Sequence, residues 1–316
     1  MSMSQRFMIS GGMGFIGSNL VRRLLKEGHE VTVVDDMSAG EICFLPEGFT
    51  NFYIQDFADD SICNMVRNQA FDVIMHLAAK PRVAYSVEHP FETNETNVSK
   101  TVKLLEAAKG NVRRFVNTSS SSVYGNTTVL PTPEHTVHVP QSPYALQKST
   151  TERYCKLFSE LYGLDTVSVR PFNVFGPNCR GDSPYATALS AWFGAILDGR
   201  PLRSDGTGEQ SRDITYVDNT VDVMYRCAMH EGKFSGEAFN AGTGFSVTNN
   251  EVLAWFTKTY PDCKITHAAV RPGDVGATCA DITRAQDILG YKVLVPFWEG
   301  VEKTREWVFG PGGKKE

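Results

Sequence analysis

Ser10-Gly-Gly-Met-Gly-Phe-Ile-Gly-Ser18 constrains this chain more than any other stretch. The apolar run Arg6-Phe-Met-Ile-Ser10 leads into it and reads as a short buried strand. Behind it, Phe15, Ile16, Leu20, Val21, Leu24 and Leu25 recur at the spacing of an amphipathic helix. Strand, glycine turn and helix N-terminus in that order make a seat for an anion, because the free N–H groups of the first helical turn and the helix dipole act together. Glycine permits the tight turn and lets backbone come close to a pyrophosphate. The spacing Gly11-x-x-Gly14-x-x-Gly17 is one residue wider than the dinucleotide fingerprint, and alone it also suits a tight turn in another α/β protein. The next run, Val31-Thr-Val-Val34, ends in Asp35-Asp36, about the offset at which an acid caps an adenosine ribose.

At 316 residues the chain has room for one large domain or two modest ones. A net charge of −5 offers nucleic acid or an anionic membrane no general attraction, so neither is an expected partner. No run approaches the roughly 20 apolar residues of a membrane span. The opening MSMSQRF lacks a charged segment followed by an apolar core, so no signal peptide is expected. Seven cysteines, odd in number, widely spaced and without a C-x-x-C, argue against a disulfide framework or a zinc site and for a cytoplasmic protein without a metal.

Short apolar runs then alternate with helical patterns. Asn51-Phe-Tyr-Ile54 is a third strand, and Asp56 behind it suits either an adenine amino group or a solvated loop. Phe71–His76 is the next strand and ends in Leu77-Ala78-Ala79, small residues against which a cofactor can lie. His76 reads as a packed strand-end histidine rather than a catalyst. Asn94–Ala108 and Pro143–Tyr162 read as helices, the second opened by Ser142-Pro143 in cap and first-turn positions. Arg113–Thr118 and Thr166–Arg170 read as strands, and the alternation predicts an α/β fold with a doubly wound parallel sheet. From Asn173 glycine and proline become frequent and the alternation loosens. Asp213–Val217, with the helix after Asp218, reads as a return to the sheet, followed by a short strand at Glu237–Asn240 and a helix over Val247–Tyr260. Two short helices are expected within Ile265–Trp307. The predicted organisation is a dinucleotide-binding domain over 1–172, with a return segment near 213–245, and a smaller irregular α+β substrate domain over 173–212 and 246–316.

Ligands of such sheets sit at the carboxyl ends of the strands, where the glycine turn, Asp35, Asp56, Leu77–Ala79 and Thr118–Ser122 all fall. Tyr144 and Lys148 stand one helical turn apart. A free tyrosine, with a pKa of about 10, is a poor base at neutral pH. A neighbouring ammonium favours the phenolate, as a cationic nicotinamide would. The five hydroxyl residues Thr118-Ser-Ser-Ser-Ser122 suit either a polar turn or the holding of a sugar oxygen.

Gly11-x-x-Gly14-x-x-Gly17, Asp35, His76-Leu-Ala-Ala79, Ser119-Ser-Ser-Ser-Val-Tyr-Gly125, Tyr144-x-x-x-Lys148 and Arg170-Pro-Phe-Asn-Val-Phe-Gly-Pro177 together resemble the extended short-chain dehydrogenase/reductases, and among them the NAD-dependent nucleotide-sugar epimerases and dehydratases. The likeness continues through Gly206-Thr-Gly-Glu-Gln-Ser-Arg-Asp213, Asn240-Ala-Gly-Thr243 and Arg271-Pro-Gly-Asp274, so it covers nearly the whole chain. It implies a Rossmann-type sheet, bound NAD, a UDP-sugar substrate and a homodimer in which the Tyr144 helix and the Asn94–Ala108 helix pack against their copies. Carried over residue by residue, Gly11, Gly14, Phe15, Ile16 and Gly17 hold the pyrophosphate, Asp35 and Asp36 lie at the adenosine ribose, and Asp56 and Phe57 flank the adenine. Leu77, Ala78, Ala79, Asn97, Thr118 and Phe172 line the rest of the cofactor. Tyr144 is the base, Lys148 holds the nicotinamide ribose and tunes Tyr144, and Ser120 shares the proton of the sugar's 4-hydroxyl. Ser121, Ser122, Asn173, Arg180, Arg212, Arg271 and Thr278 hold the sugar and its diphosphate, a task that suits the planar arginine fork.

Within that family a dehydratase pattern needs an Asp-Glu pair just after the catalytic hydroxyl, and UDP-glucuronate decarboxylases carry a Glu at the second of those positions. Ser121 and Ser122 stand there. An epimerase needs no further acid or base. The expected reaction is therefore C4 epimerisation of a UDP-hexose through a 4-keto sugar, on UDP-glucose and UDP-galactose or their N-acetylated counterparts. The resemblance places a gate beside the sugar's C2 substituent at Thr278, a small residue that leaves room for an N-acetyl group. The alternative is a UDP-glucuronate 4-epimerase, with Arg180 near the carboxylate. A sensor that binds the dinucleotide without catalysis would tend to lose the Tyr or the Lys, and both are present.

Overall fold

The computed structural model describes residues 4–179, 181, 187–269 and 276–313. Its strands are β1 (Arg6–Ser10), β2 (Glu30–Asp35), β3 (Phe52–Ile54), β4 (Val73–His76), β5 (Arg114–Thr118), β6 (Thr166–Pro171), β7 (Leu202–Asp205), β8 (Ser211–Arg212), β9 (Glu237–Ala241), β10 (Val247–Thr248) and β11 (Ile265–Ala268). Seven of them form one sheet in the order β3-β2-β1-β4-β5-β6-β9, every pair parallel. Chain order reverses between β1 and β4, which opens a crevice at their carboxyl ends.

The helices are α1 (Phe15–Lys26), α2 (Asp60–Arg67), α3 (Val83–Glu88), α4 (Pro90–Asn94), α5 (Thr101–Ala108), α6 (Pro143–Tyr162), α7 (Ala188–Leu197), α8 (Val217–Met229), α9 (Asn249–Thr259), α10 (Thr283–Leu289) and α11 (Phe297–Phe309). Strand alternation sends Phe7 and Ile9 into one core with Leu20, Val21 and Leu24 of α1 and Met224 of α8. Met8 goes to the other face, with Leu104 and Leu105 of α5 and Phe158 of α6. Both faces are covered, so the central strands β1, β4 and β5 are buried along nearly their whole length, with β1 and β4 largely apolar.

Two expectations change. The return to the sheet is made by β9 alone, beside β6. The 213–217 segment pairs instead with 173–175, through Thr215 N–H to Asn173 O (3.3 Å) and Phe175 N–H to Thr215 O (3.0 Å), while the buried Asp213 carboxylate ties it to Thr243, Gly244 and Ala280. The Asn94–Ala108 stretch is not one regular helix: a π-helical turn over Glu95–Lys100 joins α4 to α5. That turn presents Thr96 to the cleft while Asn97 clasps the Lys80 peptide from both sides (2.7 and 3.1 Å). β7 and β8, paired with β11 and β10, line the opposite side of the cleft together with α7 and the first residue of α9.

Candidate active site

A cleft of about 1630 Å³ runs along the carboxyl ends of the sheet and under α7. At its cofactor end the glycine turn is fixed by geometry. Gly11 has φ +75°, donates to Val34 O (2.8 Å), and leaves no room for a Cβ, which would lie 2.7 Å from Ala78 N. A Cβ on Gly17 would stand 2.1 Å from Gly11 O. Gly14 caps α1 without a side chain, so the first-turn N–H groups of Phe15, Ile16 and Gly17 have no partner within the helix. Asp35, buried at the end of β2, accepts from Met13 N–H and Met37 N–H (both 2.9 Å) and ties the turn to the strand. Burial raises its pKa and those two backbone donors oppose the rise. Asp36 is exposed beside it, and Phe57, Leu77, Ala78 and Ala79 line the same cleft.

The chemical end is built on α6. Pro143 opens the helix and Ser142 Oγ accepts from Ala145 N–H (3.2 Å). The Tyr144 N–H, which the first turn leaves without a helical partner, donates to the fully buried Ser86 Oγ (3.1 Å) of α3. Tyr144 is buried, and burial pushes its phenol up to about 12 while a hydrogen bond with Ser120 pulls it back. Lys148 Nζ donates to Thr118 O (2.7 Å) and lies 6.0 Å from the centre of the Tyr144 ring. Burial pushes Lys148 down to about 8, and Glu152 opposes that. Lys148 and a cationic nicotinamide are both expected to favour the phenolate, and burial of the ring acts against them. Thr118 Oγ1 is buried at this point of the cleft with no hydrogen-bond partner. The glycine cradle, the open end of α1 and that orphaned hydroxyl fit a dinucleotide.

Behind the site, Ser119 Oγ donates to Glu152, which also takes Arg170 Nε (2.9 Å) and Nη2 (2.6 Å). Arg170 continues to Tyr124 OH (2.7 Å) and Glu134 O (2.8 Å). This buried network holds the loop that carries Ser120, whose Oγ accepts from Ser122 Oγ (2.9 Å) and Ser122 N–H (3.2 Å). On the substrate side the structure brings together Ser120, Ser121, Ser122, Asn173, Arg212 and Thr278 along the cleft. Asn173 Nδ2 donates to Asp213 O (3.0 Å) and Thr278 Oγ1 (3.3 Å), and Arg212 Nη1 reaches Gly276 O (3.2 Å). Arg180 and Arg271 lie outside the described residues.

Three of the expected cofactor residues do not line the cleft. Asp56 pairs with Lys100 (2.6 Å), Phe172 packs with Val123, Tyr124 and Ala280, and Asn97 acts on the Lys80 backbone and on Gln147 Oε1 (2.8 Å). His76 sits where a strand-end packing residue belongs: Ser10 Oγ is 2.7 Å from Nδ1 and Thr101 Oγ1 2.9 Å from Nε2. Sequence reading missed Ser86, Glu152 and Asp213, whose partners are distant in the chain. Among the described residues no cluster of His, Cys, Asp and Glu could hold a metal ion, and no helix is long and apolar enough to cross a membrane.

Similar proteins agree with this geometry. A UDP-glucose 4-epimerase of Mycolicibacterium smegmatis is 37% identical over 311 residues, 96% of this chain and 98% of that protein. A UDP-N-acetyl-alpha-D-glucosaminuronate decarboxylase of Bacillus cytotoxicus is 32% identical, over 96% and 98% of the two chains. The solved structure of a UDP-N-acetylglucosamine 4-epimerase from Methanobrevibacter ruminantium, in complex with UDP-N-acetylmuramic acid, superposes with a TM-score of 0.90 at 33% identity, covering 97% and 98%. Residues 7–242 match the family described as NAD dependent epimerase/dehydratase, and with the glycine cradle and the Ser120–Tyr144–Lys148 site in place, the chain belongs to that family.

Proposed function

We propose that this protein is an NAD-dependent UDP-sugar 4-epimerase, an isomerase. The observation that carries the choice within the family is the Ser120-Ser121-Ser122 turn facing Tyr144: hydroxyls occupy the positions where elimination or decarboxylation calls for carboxyl groups. NAD, held by Gly11–Gly17, Asp35, Ala78 and Thr118, supplies when bound a reversible hydride acceptor for the sugar's C4. The chain's own part is the proton and the grip. Tyr144 Oη takes the proton of the 4-hydroxyl and returns it, Ser120 shares that hydrogen bond, and Lys148 is poised between Thr118 O and the phenol side of the helix. Epimerisation requires the 4-keto sugar to turn over while its diphosphate stays anchored. Arg212, which lines the substrate side of the cleft, is suited to the anchor, and Arg271 is assigned the same task by its motif. Thr278 and Asn173 are small enough to leave space beside the sugar's C2, which favours acceptance of N-acetylated sugars as well as UDP-glucose.

We further infer a homodimer and a cytoplasmic setting. Leu146, Thr150, Arg153, Leu157 and Leu161 recur at helical spacing on the outer face of α6, where the leucines are 44–63% exposed, and Phe91 of α4 is 83% exposed nearby. The outward residues of the 94–108 stretch are polar (Asn94, Glu95, Ser99, Glu106), so α6 and α4 carry the apolar part of the proposed interface. None of the seven cysteines is paired, which suits a reducing compartment.

The test is to incubate purified protein separately with UDP-galactose, UDP-N-acetylgalactosamine and UDP-galacturonate and to follow the anomeric protons by NMR. Appearance of the 4-epimer of one of the first two is expected. Conversion of UDP-galacturonate alone would move the reading to a glucuronate epimerase. A 4-keto-6-deoxy sugar, a pentose or no turnover of any would overturn it.

A further inference from the structure

Among the described residues, Asp213 is a fully buried carboxylate beside the sugar end of the cleft that this mechanism leaves unused. It does not itself line the cleft, although its neighbours Arg212 and Ile214 do. Its oxygens are surrounded by donors alone. Oδ1 accepts from Thr243 Oγ1 (2.8 Å), Thr243 N–H (3.1 Å) and Thr215 Oγ1 (3.1 Å). Oδ2 accepts from Gly244 N–H (3.0 Å), Thr243 N–H (3.1 Å) and Ala280 N–H (3.1 Å). The donors belong to three separate segments: the residues after Asp213, the turn that follows β9, and the 278–281 segment. Gly242 is closed in as well, since a Cβ there would meet Ala280 Cβ at 2.4 Å and Asp213 Oδ2 at 2.9 Å.

The backbone of the same residue sets the substrate-side wall. Ser211 N–H to Gly276 O (3.1 Å), Thr278 N–H to Ser211 O (3.0 Å) and Asp213 N–H to Thr278 O (2.8 Å) form a short parallel ladder, and Asp213 makes its last rung. Asp213 O receives the Asn173 amide (3.0 Å), and Thr278 Oγ1 lies 3.3 Å from both the Asp213 N–H and Asn173 Nδ2. Arg212 precedes it directly and reaches Gly276 O across the ladder. A carboxylate suits this place because it accepts at every lone pair and has no proton to offer, whereas an amide would turn N–H groups toward backbone N–H groups.

We propose that Asp213 is a positioning residue: by stapling three chain segments through its carboxylate it fixes Arg212, Asn173 and Thr278 relative to one another, and so sets the affinity for the nucleoside diphosphate of the substrate without touching it. The inference rests on the nucleotide-sugar reading of the cleft. It is specific to the substrate wall, because the glycine turn and Asp35 that hold the other ligand are built on β1 and β2 and share no bond with Asp213.

The experiment is calorimetric titration of the purified full chain with UDP, alongside its NAD content and thermal midpoint, for wild type and Asp213→Asn. UDP binding should weaken about ten- to a hundredfold, the loss expected when hydrogen bonds to a buried charged group are broken. NAD content should stay at the wild-type level. Equal UDP affinity in the two proteins would overturn the proposal, and so would a parallel loss of UDP and NAD, which would mark a general structural defect. Thr215→Val and Thr243→Val each remove one hydroxyl donor and keep the backbone, so they test the same point if Asp213→Asn does not fold. Each should weaken UDP binding several-fold with NAD retained, and unchanged affinity in both would refute the role. A wild type that binds UDP yet interconverts no UDP-sugar would refute the epimerase reading alone, since the titration needs no turnover.

Discussion

Burial of Tyr144 works against its ionisation, and filling the site changes that balance. Burial raises the phenol to about 12 and Ser120 alone opposes it among its side-chain partners. The positive charge that would draw the proton off has to come from Lys148 and from the nicotinamide together. Removing the phenol oxygen should therefore remove the proton transfer and leave the cleft intact: Tyr144→Phe is expected to lower kcat about a thousandfold, the range of general acid–base catalysis, with NAD still bound. Turnover by NMR and NAD content of the purified variant check the two halves. His76 is the residue whose burial has a consequence for stability. Thr101 Oγ1 donates to Asn97 O (2.8 Å), so it accepts from His76 Nε2–H, and Nδ1 accepts from Ser10: the ring is neutral. Burial and the nearby Lys148 depress it from 6.5 to about 3. Between those values the unfolded chain binds a proton that the folded one refuses, so the contribution of His76 to stability is full above pH 6.5 and shrinks as pH falls toward 3. Urea midpoints measured across that window should rise with pH, and His76→Asn should flatten the rise by up to about 1.4 kcal/mol per pH unit.

Among the elements, the join of β1 to α1 carries the tightest constraint. Gly17 lies one turn into α1, facing the carbonyl of Gly11, and has no space for a methyl group. Gly17→Ala forces the turn away from the helix, at a cost of about 1–3 kcal/mol for overpacking. Because the displaced atoms are those of the phosphate seat, NAD affinity is expected to fall about tenfold or more along with the thermal midpoint. Fluorescence titration with NADH and a melting curve measure both. The helix α6 works differently. Its bounds are set by its own sequence, from the Ser142-Pro143 start to Gly163 in the left-handed conformation at its end (φ +70°). Its orientation is set from outside, by Ser86 on the Tyr144 N–H and by Asn97 and Thr93 on Gln147 (2.8 and 3.0 Å).

For the whole molecule, the exposed stripe on α6 is the feature that a single chain leaves unexplained. The homodimer proposed above would bury those leucines against a second copy, on the back of the helix that carries Tyr144 and Lys148. Leu157→Glu with Leu161→Glu should convert a dimer to a monomer in sedimentation velocity, and an unchanged sedimentation coefficient would exclude this face as the interface. The substrate side of the cleft is held by contacts between segments distant in the chain, such as Asp213 with Thr243 and Ala280, or Asn173 with Thr278. The substrate wall is therefore a product of the complete fold rather than of any one segment.

The sequence by itself determined the parts whose physics is local. The strand, glycine turn and helix at 6–26, the helix over Pro143–Tyr162, and the one-turn spacing of Tyr144 and Lys148 depend on periodicity, capping and backbone freedom within a few residues, and they stand in the structure as read. Most of the residues that the family motifs single out for cofactor and sugar do line the cleft. Tertiary structure alone decided that the chain returns to the sheet at β9 and not at Asp213, that Asp56 is spent on Lys100, and that Phe172 is core. It also decided that the Tyr144 phenol is buried, which raises its pKa. Each of these depends on what is packed around a side chain, and desolvation and long-range hydrogen bonds are properties of the enclosing atoms, which come from parts of the chain that local sequence does not bring together.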